Sequence, residues 1–124
     1  MIRWFEKKRF FSILMTFLVA IEIFFFSTLQ GGSIGSTSFL TLVYHFAVFF
    51  LFSFFLFVSI KGNEKIKINQ IVLVLIVSIV YSFLDEFHQM FVPSRDANIR
   101  DIITNNTGIL LSTFIYSYIN LKKK

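Results

Sequence analysis

The sequence predicts an all-α integral membrane protein, a four-helix bundle with the N-terminus and the C-terminus in the cytoplasm. The 124 residues are 56% hydrophobic, above the roughly 45–50% of soluble domains, and mean hydropathy is +0.74. Four apolar stretches each approach the ~20 residues that cross a bilayer as a helix. They comprise residues 10–29, 39–60, 71–92 and 102–119 of a single domain, residues 1–124.

Each stretch is predicted as a separate transmembrane helix. The first follows a basic segment, as in a signal peptide, but it is too long for such a peptide, contains Glu22 and lacks a cleavage pattern. Short connections, at residues 30–38, 61–70 and 93–101, make consecutive helices antiparallel neighbours. Pro93 is expected to end the third helix, and Asn98 to cap the fourth.

Positive charge predicts the orientation. Ten of the twelve basic residues lie in the N-terminal segment, the second loop and the C-terminal tail, and only Arg95 and Arg100 lie in the third loop. The positive-inside rule therefore places the first and third loops outside the cell. The net charge of +5 is explained by anchoring at lipid headgroups rather than by nucleic acid. The chain has no Cys, which excludes thiolate metal sites.

Ionisable and polar side chains converge in the outer third of the membrane. Helical periodicity puts Asp85 and Gln89 on one face, Asp101 and Asn105 on another, and His45 on a third. Lipid offers no hydrogen-bond partner, so these faces are expected to meet. Among the charged residues predicted in the outer part of the membrane and in the third loop, five are acidic and two are basic. In a low-dielectric setting this excess negative charge must be neutralised by protons, a metal ion or a cationic ligand. The predicted cluster contains Glu22, His45, Asp85, Glu86, His88, Gln89, Asp101 and Asn105.

Several of these residues also have purely structural explanations. Asp101 could cap the fourth helix, His45 could be a hydrogen-bonded packing residue, and Glu22 could pair with a hydroxyl or be protonated. Gly108 could simply permit close helix packing. The run Asp85-Glu86-x-His88-Gln89 is harder to explain by packing, because it places four strongly polar residues among five at the end of an apolar helix.

The pattern D-E-x-H-Q-x-F-x-P-x-R over residues 85–95, followed by Asp101, Asn105 and Gly108, resembles the VanZ-like family of small integral membrane proteins. Ser94 departs from that pattern, where Gly is common. The resemblance implies a prokaryotic, multi-pass protein of the cell membrane. It also implies a link to the cell envelope, since the founding member is associated with low-level teicoplanin resistance. It implies no particular reaction.

The first functional hypothesis is a metal-assisted or acid–base site that acts on a lipid headgroup or a phosphate-bearing envelope precursor. A divalent ion suits these oxygen and nitrogen donors, and Arg95 or Arg100 could bind phosphate. His88 or Glu86 is the predicted general base. The predicted catalytic and metal-binding set is His45, Asp85, Glu86, His88 and Asp101, and the predicted ligand-binding set is Glu22, Gln89, Arg95, Arg100 and Asn105.

Two other hypotheses use the same residues. The protein could bind an envelope lipid or an antibiotic without catalysis. It could also be a proton-coupled carrier with Glu22, Asp85 and His45 as a relay, which would require a homo-oligomer because four helices are few for a carrier. Whether the protein is an enzyme is left open at this stage.

Overall fold

The computed structural model describes residues 1–28, 39–93 and 99–123, and these are helical apart from short turns. The predicted all-α class is therefore confirmed. A short helix that the sequence did not predict precedes four long ones. The helices are α1 (Ile2–Lys7), α2 (Arg9–Thr28), α3 (Phe39–Lys61), α4 (Ile68–Gln89) and α5 (Ile99–Lys122).

Three helices, α2, α3 and α4, are long and apolar enough to cross a membrane. Helix α5 has 24 residues, but Asn and charged residues make it more polar. Its membrane crossing and the direction of the chain across the bilayer therefore stay predictions.

Helix α3 is the central element, because it contacts all four of the others. Its sequence is apolar on every side, as expected for a helix surrounded by protein. Phe49, Phe52 and Phe55 pack against Val19 of α2 and Ile109 of α5 in the main core cluster. In the described part of the chain, α2 and α5 do not contact each other, so α3 connects them.

Local signals explain where the helices end. Helix α3 stops at Lys61 because Gly62 follows with φ +55°, and its N–H donates to the Val58 carbonyl at 2.8 Å. Helix α4 ends at Gln89, three residues before the predicted end at 92. Residues 90–92 instead form turns and a bend. Pro93 explains this end, because a proline disfavours helical geometry in the residue that precedes it.

Consecutive long helices run in opposite directions, and side-chain contacts show which ends meet. Arg9, at the start of α2, donates through Nε to the Ser59 carbonyl near the end of α3, at 2.8 Å. Asn105, in the second turn of α5, contacts His45 near the start of α3. The start of α3, the end of α4 and the start of α5 therefore lie together at one end of the protein.

Candidate metal centre

Three metal-ligating side chains from two helices meet at this end. One ring nitrogen of His45 and one carboxylate oxygen each of Asp85 and Glu86 all lie within 4.8 Å of one another. The three residues are 3%, 6% and 2% exposed. Two ligands of one Mg²⁺ or Ca²⁺ are separated by at most about 4–5 Å, twice a metal–oxygen distance of about 2.0–2.6 Å. The arrangement can therefore hold a divalent cation with small side-chain adjustments.

Helical spacing explains why α4 supplies two of these groups. Ser78, Ser82, Asp85 and Gln89 form one stripe along α4, and all four are buried. Glu86, next to Asp85, lies to the side of the stripe yet is also buried.

Asn105 orients the imidazole of His45. Its Oδ1 lies 2.9 Å from Nδ1 of His45, and both side chains are buried. An amide oxygen only accepts a hydrogen bond, so Nδ1 carries the proton in this contact and Nε2 keeps its lone pair. A metal-binding His commonly donates its other N–H in this way, which fixes the tautomer and ring orientation.

Two further contacts complete the cluster. Asp101 Oδ2 lies 3.8 Å from His45 Nε2, an ion pair only when the imidazole is protonated. Gln89 Nε2 donates to Asp85 Oδ2 at 3.3 Å. Three buried carboxylates, those of Asp85, Glu86 and Asp101, thus surround one imidazole. Keeping them all ionised in a low-dielectric interior favours the binding of a cation or a proton.

Several buried polar atoms beside the cluster have no hydrogen-bond partner in the described part of the chain. They include the Asn105 Nδ2 amide and the hydroxyls of Ser78, Ser82 and Ser112. Buried polar groups are nearly always satisfied by protein, water or a bound ligand. Ser82 lies one turn and Ser78 two turns before Asp85 on α4, so these polar atoms continue the buried stripe away from the cluster.

The structure does not bring every predicted residue into this cluster. Glu22 is exposed on α2, beside the buried position Ile23. His88 stacks on Phe24 of α2, with ring centroids 4.7 Å apart, and its Nε2 is buried without a hydrogen-bond partner in the described residues. Arg100 is exposed in the first turn of α5. Arg95 and the predicted cap Asn98 lie outside the described residues.

A second buried polar cluster lies at the opposite end, and the sequence analysis missed it. Lys61 Nζ lies 3.2 Å from Glu6 Oε1, and the Tyr116 hydroxyl donates to the same oxygen at 2.7 Å. Glu6, Lys61 and Tyr116 are 7%, 6% and 1% exposed. Lys61 is therefore buried, although its place in a basic loop predicted an anchor at lipid headgroups. The sequence feature that could have indicated this cluster is Glu6, the single acidic residue in the basic N-terminal segment.

The fold and its apolar helices define an all-α membrane protein with a buried acid–histidine cluster at one end. The model of the VanZ/LLP1 family matches residues 2–120. The chain therefore belongs to the VanZ/LLP1 family, and the resemblance seen in the sequence is confirmed. No match was found among curated proteins or solved structures.

Proposed function

We propose that this VanZ-like membrane protein binds a divalent cation at His45, Asp85 and Glu86 and uses it to engage the phosphate of an envelope lipid headgroup or precursor. The observation that carries the proposal is the approach of three ligand atoms from separate side chains within 4.8 Å. Positive-inside charge supports placing this end at the outer leaflet.

The cation would link an acidic protein site to an anionic ligand. Mg²⁺ is typically held by one or two carboxylates and completes its shell with water and substrate phosphate. Asp85 and Glu86 supply the carboxylates, so phosphate can take a remaining position without meeting their charge directly. Arg100, in the first turn of α5, is proposed to contact the phosphate oxygens, and the sequence offers Arg95, between α4 and α5, as a second candidate.

In a catalytic version of this function, the chain's own groups would move a proton. Glu86 is the proposed general base, acting through the carboxylate oxygen that does not bind the cation, and Asp101, 3.8 Å from His45 Nε2, adds a third carboxylate beside the cation. His88 is the less favoured base, since its ring is stacked on Phe24. A proton relay receives no support from Glu22, which is exposed on α2.

The proposal is tested by titrating the metal-stripped, purified protein with Mn²⁺ or Mg²⁺ in a calorimeter. The wild-type protein is expected to bind one equivalent of cation. Asp85→Asn and Glu86→Gln should each weaken binding by more than the roughly 10–100-fold that loss of an outer-shell partner costs. Binding should also weaken as the pH falls, because metal ligands must be deprotonated.

Glu64→Gln is the matched control for these carboxylate variants. Glu64 lies in the connection between α3 and α4, where a hydrogen bond and the charge of Lys67 lower its pKa. It lies outside the cluster, so its loss should leave cation binding unchanged. A wild-type protein that binds no cation, or Asp85→Asn binding as tightly as Glu64→Gln, would contradict the proposal.

Turnover separates catalysis from binding alone. Phosphate release or headgroup transfer from lipids in nanodiscs, lost in Asp85→Asn while the variant stays folded, would identify an enzyme. A cation-dependent increase in lipid affinity without turnover would identify the non-catalytic binder.

A further inference from the structure

An apolar groove lies on the outside of the protein at the level of the cation cluster. It has a volume of about 460 Å³ and is lined by Val80, Phe83, Leu84 and Phe87 of α4, by Ile102 of α5, and by Glu86. This volume is within the range of ~300–1,000 Å³ found for small-molecule sites. The α4 residues follow i, i+3, i+4, i+7, so the groove runs along a single face of that helix.

Glu86 connects this groove to the buried cluster. Among the described residues it is the one charged residue that lines the groove, and its carboxylate also converges with His45 and Asp85. At 2% exposure it lies at the floor of the groove, whereas Leu84 and Phe87 are 56% and 58% exposed at the rim. Glu86 therefore lies between the exposed apolar groove and the buried carboxylate cluster.

We infer that the groove holds the hydrocarbon chain of the lipid whose headgroup binds at the cation cluster. The inference rests on the proposed function and adds the class of ligand and its route. An amphiphile that enters sideways from the bilayer, between α4 and α5, places its apolar chain against the α4 face and its phosphate beyond Glu86. A water-soluble phosphate ester would lack the apolar part that this surface matches.

The test uses a phosphatidic acid with a diazirine at the end of one acyl chain. The full-length protein is placed in phosphatidylcholine nanodiscs with this probe and Mg²⁺, irradiated, and mapped by mass spectrometry. Labelling at Phe83, Phe87 or Ile102 is expected to exceed that at Phe114 by about tenfold, which corresponds to a preference of ~1.4 kcal/mol for the groove. Phe114 is a surface-exposed reference on α5 outside the groove, with 68% exposure.

Leu84→Trp fills the groove, and Leu110→Trp provides the matched control. Leu84 and Leu110 are 56% and 54% exposed, but only Leu84 lines the groove. Leu84→Trp should reduce groove labelling about tenfold, and Leu110→Trp should leave it unchanged. Val80→Phe is a second blocking variant if Leu84→Trp does not fold.

Equal labelling of the groove and Phe114, or equal labelling in the two Trp variants, would overturn the inference. Cation titration of the same samples separates this result from failure of the proposed function. Cation binding without groove labelling would contradict only the inference that the groove holds a lipid chain. Groove labelling without cation binding retains the lipid site and rejects the cation.

Discussion

His45 is the residue on which the chemistry of the site depends, because its two ring nitrogens have different surroundings. Nδ1 faces Asn105 Oδ1 at 2.9 Å, and Nε2 faces Asp101 Oδ2 at 3.8 Å. The Asn105 amide fixes the ring, and the Asp101 carboxylate faces the nitrogen that keeps its lone pair. Asn105 is therefore a positioning residue in the proposed site, and it acts on the cation through His45.

The residue-scale prediction concerns this amide. Asn105→Leu keeps similar bulk but removes the acceptor for His45 Nδ1, so Mn²⁺ affinity should fall about 10–100-fold. Calorimetric titration measures the change. Asn120→Leu is the control, since Asn120 donates to the Tyr116 carbonyl at the other end of α5. Equal affinities for the two variants would show that Asn105 does not position His45.

At the scale of elements, the packing of α5 on α3 holds the site together. A Cβ placed on Gly108 would lie 2.6 Å from the Phe46 carbonyl oxygen and 3.3 Å from the Phe50 nitrogen. The two backbones therefore approach closely one turn from the His45–Asn105 contact. The structural explanation of Gly108, close helix packing, has direct geometric support here, and the same packing sets the position of Asn105.

Gly108→Ala should push α5 away from α3. The methyl group meets backbone that cannot rotate aside, and such overpacking costs roughly 1–3 kcal/mol of unfolding free energy. Thermal unfolding in a fixed detergent and Mn²⁺ titration should both report a loss.

Ser112→Ala is the control for Gly108→Ala. Ser112 is buried on the same side of α5, and its hydroxyl has no partner among the described residues, so its loss should be nearly neutral. A Gly108→Ala protein as stable as Ser112→Ala would contradict the packing argument.

At the scale of the whole molecule, two buried polar clusters lie at opposite ends. The cation cluster joins α3, α4 and α5. The second cluster joins α1, α3 and α5 through Glu6, Lys61 and Tyr116. The Glu6 carboxylate offsets the buried Lys61 ammonium, and this pair fixes the short N-terminal helix on the protein. We assign this second cluster a structural role.

Removing one partner of that ion pair should destabilise the protein strongly. Glu6→Gln leaves the Lys61 charge buried without its counter-ion, at a cost of about 3–5 kcal/mol. The double variant Glu6→Gln/Lys61→Met removes both charges and should recover much of that loss. Chemical unfolding in detergent measures both. A double variant no more stable than the single one would show that charge pairing is not the cause.

Helical periodicity predicted which polar side chains on α4 and α5 would be buried, because lipid offers them no hydrogen-bond partner. The stripes on α4 and α5 placed Asp85, Asn105 and Asp101 towards the interior, and all are buried. Periodicity did not predict whether Glu22 and His88 would be buried. Each residue turns an α-helix by about 100°, so neighbouring positions can differ between buried and exposed. Glu22 lies on the exposed side of α2, next to the buried Ile23.

Glu6 stands out in the sequence, but its pairing with Lys61 and Tyr116 could not be predicted from local pattern. Lys61 ends an apolar helix within a basic region, which is where headgroup anchors are expected. Its burial depends on α1 folding back so that Glu6 reaches it, and that contact spans 55 residues of sequence. Such long-range pairs depend on tertiary packing, and helical periodicity does not predict them.

The most direct test of the cation site is pulsed electron paramagnetic resonance of bound Mn²⁺, read for coupling to histidine nitrogen. The chain has only two His residues, so His45→Gln and His88→Gln assign the signal. We predict a nitrogen coupling in the wild-type protein that persists in His88→Gln and disappears in His45→Gln. A coupling that survives in His45→Gln, or is lost in His88→Gln, would contradict a cation centre at His45, Asp85 and Glu86.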